Sequence, residues 1–322
     1  MLAATVLSFS SCSALHEDLQ PCPQGVRLRF VYDYNMEFAN AFPSQVDCLT
    51  LLVYDSEGNY VTTRSNIPAS DLMDENWRMI VDLAPGSYSL IAYGGMDCDQ
   101  SSFSFTSSPS EIKMDQLEVE LNSNCLTQPV GTSLHPLFYG RQEVTVEKTD
   151  MEYRDYTVYM MKDTNNLRVM LQQVDGTAID EADFDFRIVD DNTLFAWNND
   201  IIPTQNVEYF PWTRGNVSPG ELPDEGGVAS VAFAEMSFPR LVTSNSPRLV
   251  ITRKENGYKV VDIPLNNYLL LMKSEAYTNM PDQEFLDRES RWKMLFFLRG
   301  GIWLDTVIEI NDWVVRINNT GF

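Results

Sequence analysis

Apolar and polar residues alternate with a period of two through most of this chain, and that period limits what it can fold into more than any other feature. In "VRLRFVYDY", residues 26–34, Val26, Leu28, Phe30, Tyr32 and Tyr34 fall on one face while Arg27, Arg29 and Asp33 fall on the other. Strands half-buried against a core sort their side chains in this way. "CLTLLVYDSEGNYV" repeats the pattern with a turn expected at residues 56–59, and "NLRVMLQQVDGT" and "FDFRIVDDN" follow it. "RLVITRKENGYKVVDIPL" places Asn256 and Gly257 between two alternating runs, the strongest short hairpin signal in the chain. The closing stretch, "WKMLFFLRGGIWLDTVIEINDWVVRINN", reads as a three-strand meander turning at Gly300 and Gly301 and again at Asn311 and Asp312. Helical patterns are confined to short pieces between strands, "SDLMDENW" and "PDQEFLDRES".

In "RMIVDLAPGSYSLIAYGG", Met79, Val81 and Leu83 alternate up to Pro85 and Gly86, and Tyr88, Leu90 and Ala92 alternate away from them. Proline presets the turn and glycine tolerates it, so two strands folding back on each other are expected here. The Pro-Gly-x-Tyr pattern resembles the hairpin of transthyretin-like β-sandwich domains. At about 150 residues per domain, 322 residues accommodate two. The expectation is therefore an all-β chain of two tandem transthyretin-like β-sandwich domains with short helical insertions, spanning residues 26–150 and 151–322, with the charged stretch 147–155 as the join.

Charge removes one class of partner. With 46 acidic against 23 basic residues and a net charge of −23, the chain repels nucleic-acid phosphate, so no nucleic-acid partner is expected. No apolar run approaches the roughly 18 residues that span a bilayer, which leaves a covalent anchor as the route to a membrane. In "LSFSSCSALHEDLQPCPQG", Cys12 follows apolar and then small residues, the order of a bacterial lipoprotein signal; a disulfide partner or a metal ligand are the other readings of that thiol. Residues 1–12 would be the signal segment, Cys12 the lipidated cysteine, and residues 13–25, with His16, Glu17 and Asp18, a solvated tether. The apolar run covers only residues 2–7 and no Lys or Arg precedes Cys12, so a complete signal would require a start upstream of Met1. With Cys12 acylated, Cys22, Cys48, Cys98 and Cys125 remain, and four cysteines allow three pairings. Their spacing matches no zinc signature.

Catalytic material is sparse. His16 and His135 are the two histidines, too few for a histidine-rich metal site, and neither accompanies a serine-acid constellation. The acidic clusters "MDCD", "DEADFDF" and "VDDN" lack calcium-loop spacing, and Asp183 and Asp185, alternating with Phe184 and Phe186, read as the solvent face of a strand. No phosphate-binding glycine motif occurs, and neither metal nor cofactor is expected. Trp197 in "LFAWNND" and Trp212 in "EYFPWTRG" could stack on sugar rings, which keeps a surface glycan-binding lipoprotein as an alternative; a carboxylate-dependent hydrolase ranks below it.

Taken in order, "CPQGVRLRFVYDYNMEFANAF", "DCLTLLVYDSEGNYV", "LAPGSYSLIAYGG", "LHPLFYG", "MKDTNNLRVMLQ", "DFDFRIVDDN", "DIPLNNYLLLMKS" and "WLDTVIEINDWVVRINN" closely resemble the fimbrial anchor subunits of Bacteroidales, lipoproteins at the base of type V pili. The resemblance implies a non-enzymatic outer-membrane lipoprotein, lipidated at Cys12. It would hold a fimbrial polymer to the cell, help limit its length, and join the neighbouring stalk subunit by β-strand complementation. A tip or accessory subunit of the same family is the nearest alternative. Stalk subunits of such fimbriae resemble precursors trimmed by an Arg-specific protease. Cleavage after Arg27, Arg29 or Arg64 here would part the lipid from the fold, so the anchor is expected to escape trimming. Beyond the last expected strand only residues 318–322 remain, reaching at most about 18 Å, too short for a separate donor strand.

Overall fold

A computed structural model describes residues 24–149, 152–217, 230–274, 277–300, 302–310 and 313–318. It is all-β, as the alternation requires. A seven-stranded sheet runs in the order β3 (Tyr60–Arg64), β2 (Leu49–Asp55), β5 (Gly86–Gly94), β8 (Phe138–Val146), β9 (Tyr153–Lys162), β1 (Gly25–Val31) and β4 (Met79–Asp82). β8 meets β9 only where Phe138, Tyr139 and Gly140 face Lys162, Met161 and Met160, so the sheet bends at this corner into two leaves. A side chain at Gly140 would meet the Met160 sulfur at 2.5 Å and the Tyr159 carbonyl oxygen at 2.8 Å, a close approach only glycine permits. The leaves close on one core, with Val26, Leu28 and Phe30 of β1 against Leu51 and Val53 of β2 and Leu90 and Ala92 of β5.

The second half holds a six-stranded sheet, β15 (Thr213–Val217), β16 (Val231–Pro239), β10 (Thr164–Gln173), β19 (Arg291–Arg299), β20 (Ile302–Ile310) and β21 (Trp313–Asn318). It shares a core with a four-stranded sheet, β14 (Val207–Tyr209), β11 (Phe184–Asp190), β17 (Arg248–Arg253) and β18 (Lys259–Pro264). Phe184 and Phe186 are buried and Asp185 is exposed, the two faces expected of that strand. The hairpin at Asn256 and Gly257 and the closing meander form where expected.

A further four-stranded sheet joins the halves. Its order is β13 (Ile201–Ile202), β12 (Leu194–Ala196), β7 (Glu118–Leu121) and β6 (Phe103–Phe105), so β12 of the second half pairs with β7 of the first. Val119, Phe103 and Phe195 enter the same core as Ile91 and Tyr93, the outer face of β5. β5 is therefore buried on both faces, which accounts for its unbroken apolar run, "LIAY". Among the described residues, four short α-helices interrupt the strands: α1 (Phe42–Gln45), α2 (Ala69–Leu72), α3 (Leu265–Leu270) and α4 (Asp282–Arg288). α4 falls within the second helical pattern of the sequence, while α2 covers only the first three residues of "SDLMDENW" and starts one residue before it.

One expectation needs correction. The strands flanking Pro85 and Gly86 do not pair with each other: β4 pairs with β1, and β5 with β2 and β8. The Pro-Gly segment instead carries the chain from one leaf to the other, and the Tyr88 hydroxyl pins it by donating to the Ala84 carbonyl at 2.9 Å. The changeover between the large sheets lies between Lys162 and Thr164, past the charged stretch 147–155, because β9 completes the first sheet by running parallel to β1.

Candidate anchoring and assembly surfaces

The segment that would link a lipid to the fold enters through β1. Cys12, Cys22 and His16 lie outside the described residues. β1 starts at Gly25, with a φ of 146°, where a side chain would sit 2.1 Å from the Val81 carbonyl oxygen. Glycine is the residue that can slip in there. The segment is pinned on both sides: the Leu83 amide donates to the Gln24 carbonyl at 3.2 Å, and the Gln24 side chain donates to the Glu147 carbonyl at 2.9 Å. β1 then runs between two neighbours, parallel to β9 from Gly25 to Val31 and antiparallel to β4 from Gly25 to Leu28.

Arg27 and Arg29 face solvent from this strand. The Arg27 guanidinium donates twice to Asp155 of β9, both contacts at 2.6 Å, and that bond holds the Asp155 carboxyl below its usual range. Both arginines line a surface cleft of about 410 Å³ with Arg78, Asn76 and Thr157. The backbone after Arg27 lies in paired strand on both flanks. Arg64, by contrast, ends β3, an edge strand that among the described residues pairs with β2 alone.

The cysteines separate. Cys48, just before β2, and Cys98, just after β5, form a disulfide across 50 residues. Cys125 is free and half-buried. His135, 8% exposed, stands beside the disulfide: its Nε2 lies 3.0 Å from Asp47 Oδ1, and a ring nitrogen lies within 4.8 Å of both sulfurs.

The aromatic candidates are not open platforms. Trp197 packs against the core, carries the Arg141 guanidinium 4.5 Å from its ring centre, and accepts a bond from the Tyr139 hydroxyl through its carbonyl. Trp212 is half-buried, with its indole N–H turned inward. Its neighbours Phe210 and Pro211 do line a cleft of about 480 Å³, together with Arg187, Arg214 and Lys254. Each of those cations already has an acid, Glu208, Glu181 and Asp185 respectively.

Two buried polar networks escaped the sequence reading. Asp163, between the large sheets, accepts from the Asn199 amide at 2.9 Å, and the Asn199 carbonyl accepts from Arg240 at 2.9 Å. Arg240 grips Asp287 of α4 with two bonds, at 2.8 and 3.0 Å. Burial pushes the Asp163 carboxyl up to about 7, against the opposing pull of Arg240 and Asn199. In the second network, Asn245 donates to both Asp190 and Asp191 at 2.6 Å, and the Tyr209 hydroxyl donates to Asn192 at 2.6 Å. Burial raises Asp190 to about 7 as well. The "VDDN" cluster is thus a knot fastening sheets, while Asp97 and Asp99 of "MDCD" lie on the surface.

No helix among the described residues is long and apolar enough to cross a membrane. A family model for the fimbrillin-A associated anchor proteins Mfa1 and Mfa2 matches residues 19–319. The chain is similar to a candidate adhesin from Bacteroides thetaiotaomicron, at 50% identity and a TM-score of 0.86, over 94% of this chain and 100% of that one. A candidate polysaccharide-binding protein from the same species is 30% identical with a TM-score of 0.75, over 91% of this chain and 98% of that one. The fimbrial anchor protein Mfa2 from Porphyromonas gingivalis shares the fold, at 15% identity and a TM-score of 0.65, over 91% of this chain and 99% of its own. No curated protein matches significantly.

Proposed function

Because the chain belongs to the fimbrillin-A associated anchor protein family, we propose that it is the lipid-anchored subunit that holds a fimbrium to the outer membrane and helps limit its length. The family match across both halves carries this reading. Lipid on Cys12 would attach the chain. The thirteen residues from there to Gly25 would span at most about 45 Å, keeping the fold close to the surface. Lipid binding gains about 0.8 kcal/mol per buried CH2, and one acyl chain holds only marginally, so a firm anchor needs a multiply acylated cysteine.

The placement of β1 suits a tether. Tension on the preceding segment pulls β1 along its own axis, loading its bonds to β9 and β4 in shear, so that they resist together instead of opening one by one. Val26, Leu28 and Phe30 add a buried side-chain key to the same strand. The neighbouring stalk subunit would join by strand complementation, in which main-chain bonds give affinity and alternating pockets give register. Outer strands β15 and β21 of the six-stranded sheet offer unpaired edges for such an addition among the described residues.

Deletion of the gene tests the reading: fimbrial protein should move from the outer membrane to the medium, and shed fimbriae should be longer. Fimbriae that remain cell-bound at normal length refute it. Surface glycan binding is the second reading, favoured by the similarity to a candidate polysaccharide-binding protein and by the Phe210 cleft. It requires saturable oligosaccharide binding that is lost on Phe210→Ala.

A further inference from the structure

We propose that Cys48, Cys98 and His135 form a zinc site when the disulfide is reduced, so that a cluster that fastens two segments of the first sandwich as a disulfide fastens three around the metal. The three ligand atoms already lie within 4.8 Å of one another. Tetrahedral zinc, with Zn–S near 2.3 Å and Zn–N near 2.0 Å, sets its ligand atoms about 3.5 to 3.8 Å apart, so the two sulfurs, bonded to each other in this structure, part by roughly 1.7 Å on reduction to take the metal.

The second observation is the state of the imidazole. Asp47 engages Nε2 at 3.0 Å, while Nδ1 is buried without a hydrogen-bond partner among the described residues. A carboxylate on one ring nitrogen places the proton there and leaves the other a lone pair, the arrangement found behind metal-bound histidines. The half-buried disulfide gives that lone pair nothing to do; a zinc ion does.

Proximity does not depend on the sulfur–sulfur bond. The Gly95 amide donates to the Cys48 carbonyl at 3.0 Å and Thr50 Oγ1 donates to the Met96 carbonyl at 3.2 Å. Ser101 Oγ donates to the Gly95 carbonyl at 2.7 Å, and the His135 amide donates to Ser102 Oγ at 2.8 Å. These bonds hold the start of β2, the loop after β5 and the approach to β8 around the same point. Cysteine spacing conceals the site, because the ligands come singly from three segments and not in close sequence pairs.

The chemistry balances simply. A dithiol reductant delivers two electrons and two protons to the Cys48–Cys98 bond and itself becomes a disulfide; Zn²⁺ then displaces both thiol protons, and water fills the fourth position.

The test uses the full chain carrying Cys12→Ala, Cys22→Ser and Cys125→Ser, which keeps only this pair. Bound zinc is measured after reduction and after oxidation, and cobalt replaces zinc to report tetrahedral thiolate ligation by absorption. One zinc per reduced chain and none per oxidised chain is expected. Adding Cys48→Ser and Cys98→Ser should abolish binding, and His135→Ala should weaken it at least tenfold. Asp47, whose side chain is 64% exposed, can change without disturbing the core, and Asp47→Asn should weaken binding roughly tenfold. Equal zinc in the reduced and oxidised chains, or zinc retained without the two cysteines, overturns the proposal.

Discussion

Arg-specific proteolysis of the folded chain should spare β1. Cutting after Arg27 or Arg29 requires a protease to draw the strand out from between β4 and β9, exposing Val26, Leu28, Phe30 and Val31, which are 0, 0, 4 and 6% accessible. At about 1.5 to 3 kcal/mol per buried side chain, opening costs roughly 6 to 12 kcal/mol, as much as the whole stability of a typical domain. The open population is then roughly one part in 10⁴ to 10⁹, and cleavage follows that population when reclosing is faster than cutting. Digestion followed by intact-mass analysis should show cleavage after Arg64 first, with cuts after Arg27 and Arg29 at least about 10⁴-fold slower than in the urea-unfolded chain. Leu28→Ala, at about 2 to 5 kcal/mol, should accelerate the β1 cuts by roughly 30- to 4,000-fold. A native chain that yields fragments beginning at Leu28 or Phe30 as fast as it is cut after Arg64 would refute the reasoning.

Replacing Cys48 and Cys98 together by serine should lower unfolding stability under oxidising conditions by about 4 kcal/mol, the loop-entropy value for a separation of 50, read by urea titration. Asp163 has a folded pKa near 7 against about 3.9 unfolded, so the folded state binds more protons between about pH 4 and 7. Its contribution is full below pH 4 and lost as pH rises through 7; Asp163→Asn should remove a pH-dependent difference on the order of 4 kcal/mol between pH 4 and 8, measured as the change in urea midpoint against the parent. Arg240→Ala strands Asp287, whose side chain is 5% accessible, and should cost about 3 to 5 kcal/mol by the same titration.

Strands were legible because burial on one face writes a period of two into the sequence, and the turns at Asn256 and Gly300 because their backbone geometry restricts residue choice. Pairing partners were not legible. Alternation in β1 looks the same whether its neighbour runs parallel, as β9 does, or antiparallel, as β4 does. Pro85 and Gly86 specify a change of direction and not which sheet edge receives the next strand. α3 was hidden because "LNNYLL" is too short to show a helical period. Asp163 and Asp190 look like surface acids, since their partners Asn199, Arg240 and Asn245 are distant in sequence. The Cys48–Cys98 pair was one of several equal options until β2 and β5 were placed side by side.

Tethering through Cys12 is the central claim, and fractionation tests it most directly. A strain lacking the gene would be complemented with the native-start chain or with its Cys12→Ala form, and fimbrial protein compared in outer membrane and medium. A variant that is exported and stable while fimbriae are shed into the medium is the predicted result; fimbriae that stay cell-bound at unchanged length with the variant would contradict the account.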